Sequence, residues 1–349
     1  MNSSLSQTLQ RFLFAILLAA SFFIILTYLL SMGLGVLIFF STTEGLEFSR
    51  ESVVRPLFIV NINAGLYFLF LWWVFIFCFV ASWKYRESLS SKTRDFLSGD
   101  TGGGLFHNNL LAMPLISSML LVAIIVLHLL QTQSGIPTGE VGVTDPFYDF
   151  LRFSSAPLTE EIVFRITPIG VFLMTYTFLA GKAVKTDFFQ SRRLKTSILS
   201  VLQPEKAKKE IGLKTISENG LFGGVIWAEW VMIFFTAFLF GVAHYLGGWG
   251  PGKISQAALS GAVFALAYLY YGIQAPILLH WYFNYYFTVF NLSVDYFSAG
   301  IDFYSFSWSI NILLGMLMWV VMIIFGVIAI RRILKKRKPE TMPVPEPPF

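Results

Sequence analysis

Long runs of apolar residues, separated by short polar segments, dominate the chain. A transmembrane helix needs about 20 largely uncharged residues to cross some 30 Å of hydrocarbon. Such runs recur eight times, so the pattern predicts an all-α, polytopic integral membrane protein in which residues 1–349 form a single membrane domain. The predicted spans are Phe12–Phe40, Leu57–Trp83, Leu110–Leu130, Pro157–Gly181, Trp227–Leu246, Ser255–Tyr271, Ile273–Leu292 and Trp308–Ile330.

Three further segments lie outside these spans. Residues 144–155 are rich in Phe and Tyr and predict a short surface helix that leads into the fourth span. Residues 182–219 are basic with interleaved Phe, Leu and Ile, and they predict either an interfacial helix on anionic lipid or a plain basic loop. The Pro-rich tail, residues 339–349, predicts a flexible end.

Composition supports a membrane protein and argues against a nucleic-acid-binding one. The 349 residues are 56% hydrophobic and 13% charged, whereas soluble domains carry about 25% charged residues. The net charge of +5 is accompanied by no nucleic-acid-binding motif. A single cysteine, Cys78, excludes an intrachain disulfide and a zinc site built from several cysteines.

The distribution of basic residues predicts the orientation of the chain. Cytoplasmic loops of membrane proteins are enriched in Lys and Arg. Of the 25 basic residues, Arg165 lies within a span, and Arg50, Arg55, Arg152 and Lys253 lie in segments predicted to be external. All others lie in the alternate segments, so we expect an even number of spans with both termini in the cytoplasm. This places Glu160 about 5 Å below the external face at 1.5 Å per residue.

The fourth predicted span opens with two carboxylates. Glu161 and Arg165 are four residues apart, so they share one helix face and can pair within the membrane. Glu160 lies about 100° around the helix from that pair and can face a cavity. The alternative is that both carboxylates cap the helix, because Pro157 suits a first turn and the helix dipole favours acidic groups there.

Two histidines in later spans complete a candidate site. His280 and Asn284 share a helix face at four-residue spacing, and Phe240 lies one turn before His244. The chain position of His280 predicts a different depth from Glu160, unless the turn after the short sixth span lies within the bilayer. Non-helical backbone is tolerated there only if it is buried in protein or faces water.

Glu160, His244, His280 and Asn284 suit hydrolysis of a peptide bond. A carboxylate in a low-dielectric site can take a proton from water, and His and Asn can donate hydrogen bonds to an oxyanion. No cofactor is required for this chemistry. His244, His280 and Glu160 could also bind zinc, and the absence of H-E-x-x-H leaves water activated by glutamate and water activated by metal as open alternatives.

The motifs resemble the CAAX protease and bacteriocin-processing family of intramembrane proteases, also called CPBP or Abi. That family shows E-E-x-x-x-R, F-x-x-x-H and H-x-x-x-N in this order, and all three motifs occur here within residues 145–292, the predicted catalytic core. The amino-acid sequence around Glu160 and His244 is most similar to that of the type II CAAX prenyl endopeptidase branch, the Ras-converting-enzyme type. The resemblance implies an eight-helix bundle, a membrane-associated or prenylated peptide or protein substrate, and Glu160 as the general base. It also implies that Glu161 and Arg165 support that base, with His244, His280 and Asn284 completing the site.

Three functional classes therefore follow from the sequence. The first is an intramembrane endopeptidase that cleaves a lipidated or membrane-associated peptide. The second is a non-catalytic member of the same family, acting as a membrane scaffold or conferring immunity to a peptide toxin. The third is a transporter that relays ions through Glu160 and Arg165, although no inverted repeat supports it.

Overall fold

Helices form nearly all of the structure. The computed structural model describes residues 3–53, 62–84, 88–97, 104–139, 145–183, 190–297 and 302–336. The strands of this described part are two residues long and pair antiparallel, with Ser52 opposite Asn63. The elements are α1 (Ser3–Ser41), α2 (Thr43–Arg50), β1 (Ser52–Val53), β2 (Ile62–Asn63), α3 (Ala64–Lys84), α4 (Leu89–Leu97), a 3₁₀ turn (Leu105–His107), α5 (Asn109–Gln133), α6 (Pro146–Glu161), a π-helical turn (Ile162–Ile166), α7 (Thr167–Ala183), α8 (Gln190–Leu202), α9 (Pro204–Glu210), α10 (Ile216–Gly224), α11 (Trp227–Leu246), α12 (Gly252–Tyr271), α13 (Gln274–Trp281), a second π-helical turn (Tyr282–Tyr286), α14 (Phe287–Tyr296) and α15 (Phe303–Lys336).

Within the described ranges, seven helices are long and apolar enough to cross a membrane. They correspond to seven of the eight predicted spans and confirm the all-α, polytopic class. The predicted span Ile273–Leu292 is also helical, through α13, the second π turn and α14, but it is not among the seven. The seven are Arg11–Ser41, Ala64–Lys84, Asn109–Gln133, Pro146–Leu179, Trp227–Leu246, Gly252–Tyr271 and Phe303–Ile328.

The fourth span begins much earlier than the sequence predicted. Residues 146–155 do not form a separate surface helix, because they continue through Pro157 into the span without a break. The physical start signal is Asp145, whose Oδ1 accepts a 2.8 Å hydrogen bond from the backbone N–H of Tyr148, followed by Pro146 at the first helical position. Pro157 lies inside the helix rather than in its first turn.

This correction changes the environment of the two glutamates. Glu160 lies 14 residues after Pro146, about 21 Å along the helix at 1.5 Å per residue. It is therefore deep in a 34-residue span rather than about 5 Å below its beginning. The capping interpretation is wrong for the same reason. The helix dipole favours carboxylates only within the first turn, and Glu160 and Glu161 lie well beyond it.

The basic segment packs against the ends of the helical bundle. Its described part, from Gln190 onward, forms α8, α9 and α10. The Tyr268 hydroxyl donates a 2.7 Å hydrogen bond to the Val201 carbonyl, and the Ile273 N–H donates to the Leu202 carbonyl. This segment therefore covers the turn between α12 and α13. The predicted flexible tail at 339–349 lies outside the described residues.

A buried aromatic cluster fixes the rotation of α13 and the turn that follows. Trp281 is fully buried and stacks on Tyr285 with ring centroids 5.3 Å apart. It also makes edge contacts with Tyr28 of α1 and Phe79 of α3. Edge-to-face and offset aromatic pairs contribute about 0.5 to 1.5 kcal/mol beyond their buried area. The cluster is made by the residue immediately after His280, so it sets the direction in which His280 projects.

Candidate active site

Adjacent positions on α6 place Glu160 and Glu161 in different environments. The Glu161 side chain is 0% exposed, whereas that of Glu160 is 33% exposed. The helix then widens into the π turn, where the Thr167 N–H bonds to the Ile162 carbonyl five residues back. Such π turns are frequent at functional sites. One carboxylate is thus enclosed in protein, and its neighbour is open to a cavity.

Glu161 and Arg165 form the ion pair that their spacing predicted. Arg165 Nη1 donates to Glu161 Oε1 at 3.0 Å, and both side chains are fully buried. The guanidinium carbon lies 3.9 Å from the centroid of the Phe240 ring and 5.5 Å from that of Phe264. A charge in this position is stabilised by its partner and by the faces of aromatic rings. Phe240 therefore contacts the supporting pair directly.

His280 connects this pair to the open glutamate. Its Nδ1 donates a 2.7 Å hydrogen bond to Glu161 Oε1, and its Nε2 lies 3.7 Å from Glu160 Oε2. The second distance exceeds that of a hydrogen bond. No described protein group hydrogen-bonds to Glu160 Oε2. The depth difference expected from the sequence is absent, because the bond to Glu161 places His280 at the level of the glutamates.

Asn284 fixes the tautomer of His280. Its Nδ2 donates to His280 Nε2 at 3.1 Å, which requires an unprotonated Nε2 and leaves the proton on Nδ1. The carboxylate of Glu161 accepts that proton's hydrogen bond, so the two contacts agree on a neutral ring. Asn284 lies in the second π turn and is half-buried. Its amide has a second N–H that the bond to His280 does not use.

His244 lies near this group without bonding to it. Its Nδ1 donates to the backbone carbonyl of Phe240 at 2.9 Å, because a carbonyl can only accept. The ring contacts Phe240 edge-on, with centroids 4.5 Å apart, and Phe240 in turn contacts His280. Nε2 of His244 is therefore the ring nitrogen that remains for a ligand.

One cavity of about 440 Å³ joins the exposed members of the predicted set. Glu160, His244 and Asn284 line it, whereas His280, Glu161 and Arg165 lie behind its wall. The volume falls within the range of about 300 to 1,000 Å³ that is usual for small-ligand sites. The other lining residues are Arg152, Phe153, Ala156, Phe164, Ala243, Gly247, Trp249, Lys253, Phe283 and Thr288.

The described residues do not provide an arrangement for zinc. No group of three or more His, Cys, Asp or Glu side chains among them is placed to hold a metal ion. In this arrangement the Nδ2 of Asn284 lies 3.1 Å from His280 Nε2, the ring nitrogen that a metal would need. The zinc alternative of His244, His280 and Glu160 therefore stays a prediction that a chelator experiment has to test.

Several residues of the site escaped the sequence analysis. Phe264 stacks on the His280 ring with centroids 5.5 Å apart, and Gly261 allows α12 to approach Arg165. Lys253 and Arg152 line the cavity but were counted there as loop charges. A basic residue immediately after Pro251-Gly252, at the start of an apolar helix, was the available signal for Lys253.

Comparison with known proteins supports the resemblance seen in the motifs. No curated protein matches the chain, and no solved structure does. The model of the family described as type II CAAX prenyl endopeptidase Rce1-like matches residues 145–286, which contain all the predicted site residues. The family is described as one of CAAX prenyl endopeptidases, and the apolar helices indicate an integral membrane protein. Over residues 145–286, the chain is therefore similar to the type II CAAX prenyl endopeptidase Rce1-like family, in agreement with the motifs.

Proposed function

We propose that this protein is an intramembrane endopeptidase that hydrolyses a peptide bond in a prenylated or otherwise membrane-associated substrate, with Glu160 as the general base. The observation that carries the proposal is the unequal environment of the two glutamates. Glu161 is enclosed and neutralised by Arg165, whereas Glu160 lines the cavity beside Asn284 and His244. The family match supports the substrate class.

The reaction can be written with the residues of this chain. Glu160 accepts a proton from water while the water oxygen bonds to the scissile carbonyl carbon, and the carbonyl oxygen becomes an oxyanion. The free N–H of Asn284 donates to that oxyanion. The protonated Glu160 then delivers its proton to the departing amine nitrogen as the C–N bond breaks. Glu160 thereby returns to its ionised form.

The histidines have different roles in this scheme. His280 accepts from Asn284 and donates to Glu161, so it orients the amide and connects it to the buried pair. His244 presents Nε2 and can accept a hydrogen bond from the attacking water while its ring is neutral. It becomes an oxyanion donor only when that nitrogen is protonated. We therefore assign the main oxyanion contact to Asn284.

Purified protein in detergent, incubated with a farnesylated CAAX peptide, tests this function. Wild-type protein should release the C-terminal fragment, and Glu160→Gln should abolish release while the protein stays folded. Glu47→Gln is the matched control, because Glu47 is exposed on α2 far along the chain from the site. Cleavage by Glu160→Gln at the wild-type rate would refute the assignment of the base. Absence of cleavage by wild type would favour the non-catalytic scaffold or immunity role.

The same assay addresses the metal alternative. We propose that Glu160 activates the water without a metal, since its carboxylate lines the cavity beside His244 and Asn284. Activity should then survive treatment with a zinc chelator. Loss of activity with the chelator, restored by added zinc, would contradict this part of the proposal.

A further inference from the structure

Lys253 places a positive charge in the cavity that the proposed reaction does not use. It is the second residue of α12, and its Nζ lies 4.1 Å from the centroid of the Trp249 ring. Both residues line the same cavity as Glu160. No ion pair joins the Lys253 ammonium to a carboxylate of the described residues. The charge faces a ligand-sized space without an anionic partner in contact.

Arg152, the other basic residue of the cavity wall, differs from Lys253. Its Nη2 lies 2.9 Å from Asp149 Oδ1, so its charge already has a partner. Lys253 also lies at the N-terminus of a 20-residue helix, where the dipole adds positive potential. The electrostatic potential at this end of the cavity therefore favours an anion.

We propose that Lys253 binds the C-terminal carboxylate of the substrate peptide. This inference rests on the proposed function, because it assumes that Glu160 and Lys253 contact two parts of the same substrate peptide. Glu160 faces the scissile bond, and Lys253 holds the chain end that follows it. A cavity of about 440 Å³ has room for the short end of a peptide, which is compatible with cleavage close to a terminus.

A simpler role for Lys253 would be to balance the charge of Glu160, with which it interacts electrostatically. The two roles predict different substrate dependence. Charge balance affects every peptide equally, whether its terminus is charged or not. Carboxylate binding distinguishes a peptide that ends in a free acid from the same peptide that ends in an amide.

Binding of a fluorescent farnesylated peptide to Glu160→Gln protein in detergent separates these roles without cleavage. The free acid should bind about tenfold or more tightly than the amide, as expected for a hydrogen bond to a charged group. Adding Lys253→Gln should reduce this ratio to about one, whereas adding Lys253→Arg should largely retain it. Lys206→Gln, an exposed lysine of α9, is the control and should leave the ratio unchanged.

Three results would overturn the inference: equal binding of acid and amide, no binding of either, or an acid preference that persists in Lys253→Gln. Size-exclusion profiles and thermal unfolding of each variant separate loss of binding from loss of fold. Cleavage by wild-type protein is measured in parallel with both peptides. Lys253-dependent acid preference without wild-type cleavage would refute the protease proposal and still support the carboxylate site.

Discussion

His280 donates a 2.7 Å hydrogen bond from Nδ1 to Oε1 of Glu161, a residue 119 positions earlier in the chain. The same carboxylate oxygen accepts from Arg165 Nη1 at 3.0 Å. Through this oxygen, α13 is attached to the end of α6, and the ring of His280 is held with Nε2 towards Asn284 and Glu160. The buried glutamate therefore organises the site, whereas Oε2 of its neighbour Glu160 accepts no hydrogen bond from the described residues.

Replacing Glu161 by Gln should destabilise the protein strongly. Arg165 would remain buried without a countercharge, and removal of one partner from a buried pair costs about 3 to 5 kcal/mol. Thermal unfolding in detergent should therefore start at a clearly lower temperature for Glu161→Gln than for wild type. Activity should fall as well, since His280 loses its ionic acceptor.

An exposed pair provides the matched control for this prediction. Lys209 Nζ lies 2.8 Å from Glu218 Oε1, with side chains that are 67% and 48% exposed. Exposed pairs contribute about 0 to 1 kcal/mol, so Glu218→Gln should leave the unfolding temperature nearly unchanged. Equal shifts for Glu161→Gln and Glu218→Gln would contradict the organising role of the buried pair.

The sequence predicted contacts within helices better than contacts between them. Glu161 with Arg165, and His280 with Asn284, are pairs at four-residue spacing, and both are present as hydrogen bonds. The bond from His280 to Glu161 was not predicted, because hydropathy gives neither the rotation of a helix nor the depth at which it starts. Both π turns were also missed by the sequence prediction. A single extra residue in one turn of an apolar helix does not change the hydrophobic periodicity enough to be detected.

The start of the fourth span was missed because apolar length alone was used to place it. Asp145 and Pro146 form an ordinary helix start, but the ten residues after them contain Asp149 and Arg152, which interrupt the apolar run. In the structure these two side chains neutralise each other in a 2.9 Å ion pair one turn apart. Charges that pair at helical spacing are compatible with a membrane span. A prediction that counts only uncharged residues therefore made the fourth span too short.

Gly261 should tolerate no side chain, because α12 passes close to Arg165 there. A Cβ at this position would lie 2.7 Å from Arg165 Nη2 and 3.1 Å from the Cα of Ala237. Gly261→Ala should displace the guanidinium from Glu161 and cost about 1 to 3 kcal/mol, as overpacking does. We expect a lower unfolding temperature and reduced peptide cleavage.

Gly33 serves as the control for that substitution. It also lies within a membrane-spanning helix, but a Cβ there meets nothing within 4 Å. Gly33→Ala should therefore be neutral or slightly stabilising, because Ala favours helix more than Gly does. If Gly261→Ala keeps the wild-type unfolding temperature and cleavage rate, Arg165 can move without loss of stability or activity, and the prediction is wrong.

Lys208 should hold the basic segment against the bundle. Its Nζ donates to both carboxylate oxygens of Glu229, at 2.9 and 2.8 Å, and to the carbonyl of Gly224 at 2.7 Å. Glu229 also accepts from the Ile226 N–H, so these bonds fix the entry of the chain into α11. Lys208→Met should leave Glu229 uncompensated and speed hydrogen exchange across α10 and the first turn of α11.

Lys206 lies on the same short helix, is exposed, and provides the comparison. Lys206→Met should exchange at the wild-type rate in both regions. If Lys208→Met also exchanges at that rate, the buried ion pair does not anchor the segment. A change confined to α10 and α11, with the site unaffected, would separate this anchoring from catalysis.

Asn284→Ala should slow cleavage without comparable loss of stability. The residue is half-buried, and its amide is the proposed donor to the oxyanion. Loss of one such donor costs about 10²- to 10³-fold in kcat. Asn284→Asp should be similarly slow, because a carboxylate keeps the size of the side chain but cannot donate when ionised.

Thr288→Val is the control in the same cavity wall. The Thr288 hydroxyl bonds to the Asn284 backbone carbonyl and has no proposed contact with substrate. It should cleave within a few-fold of wild type; a rate for Asn284→Ala equal to that of Thr288→Val would move the oxyanion contact to His244.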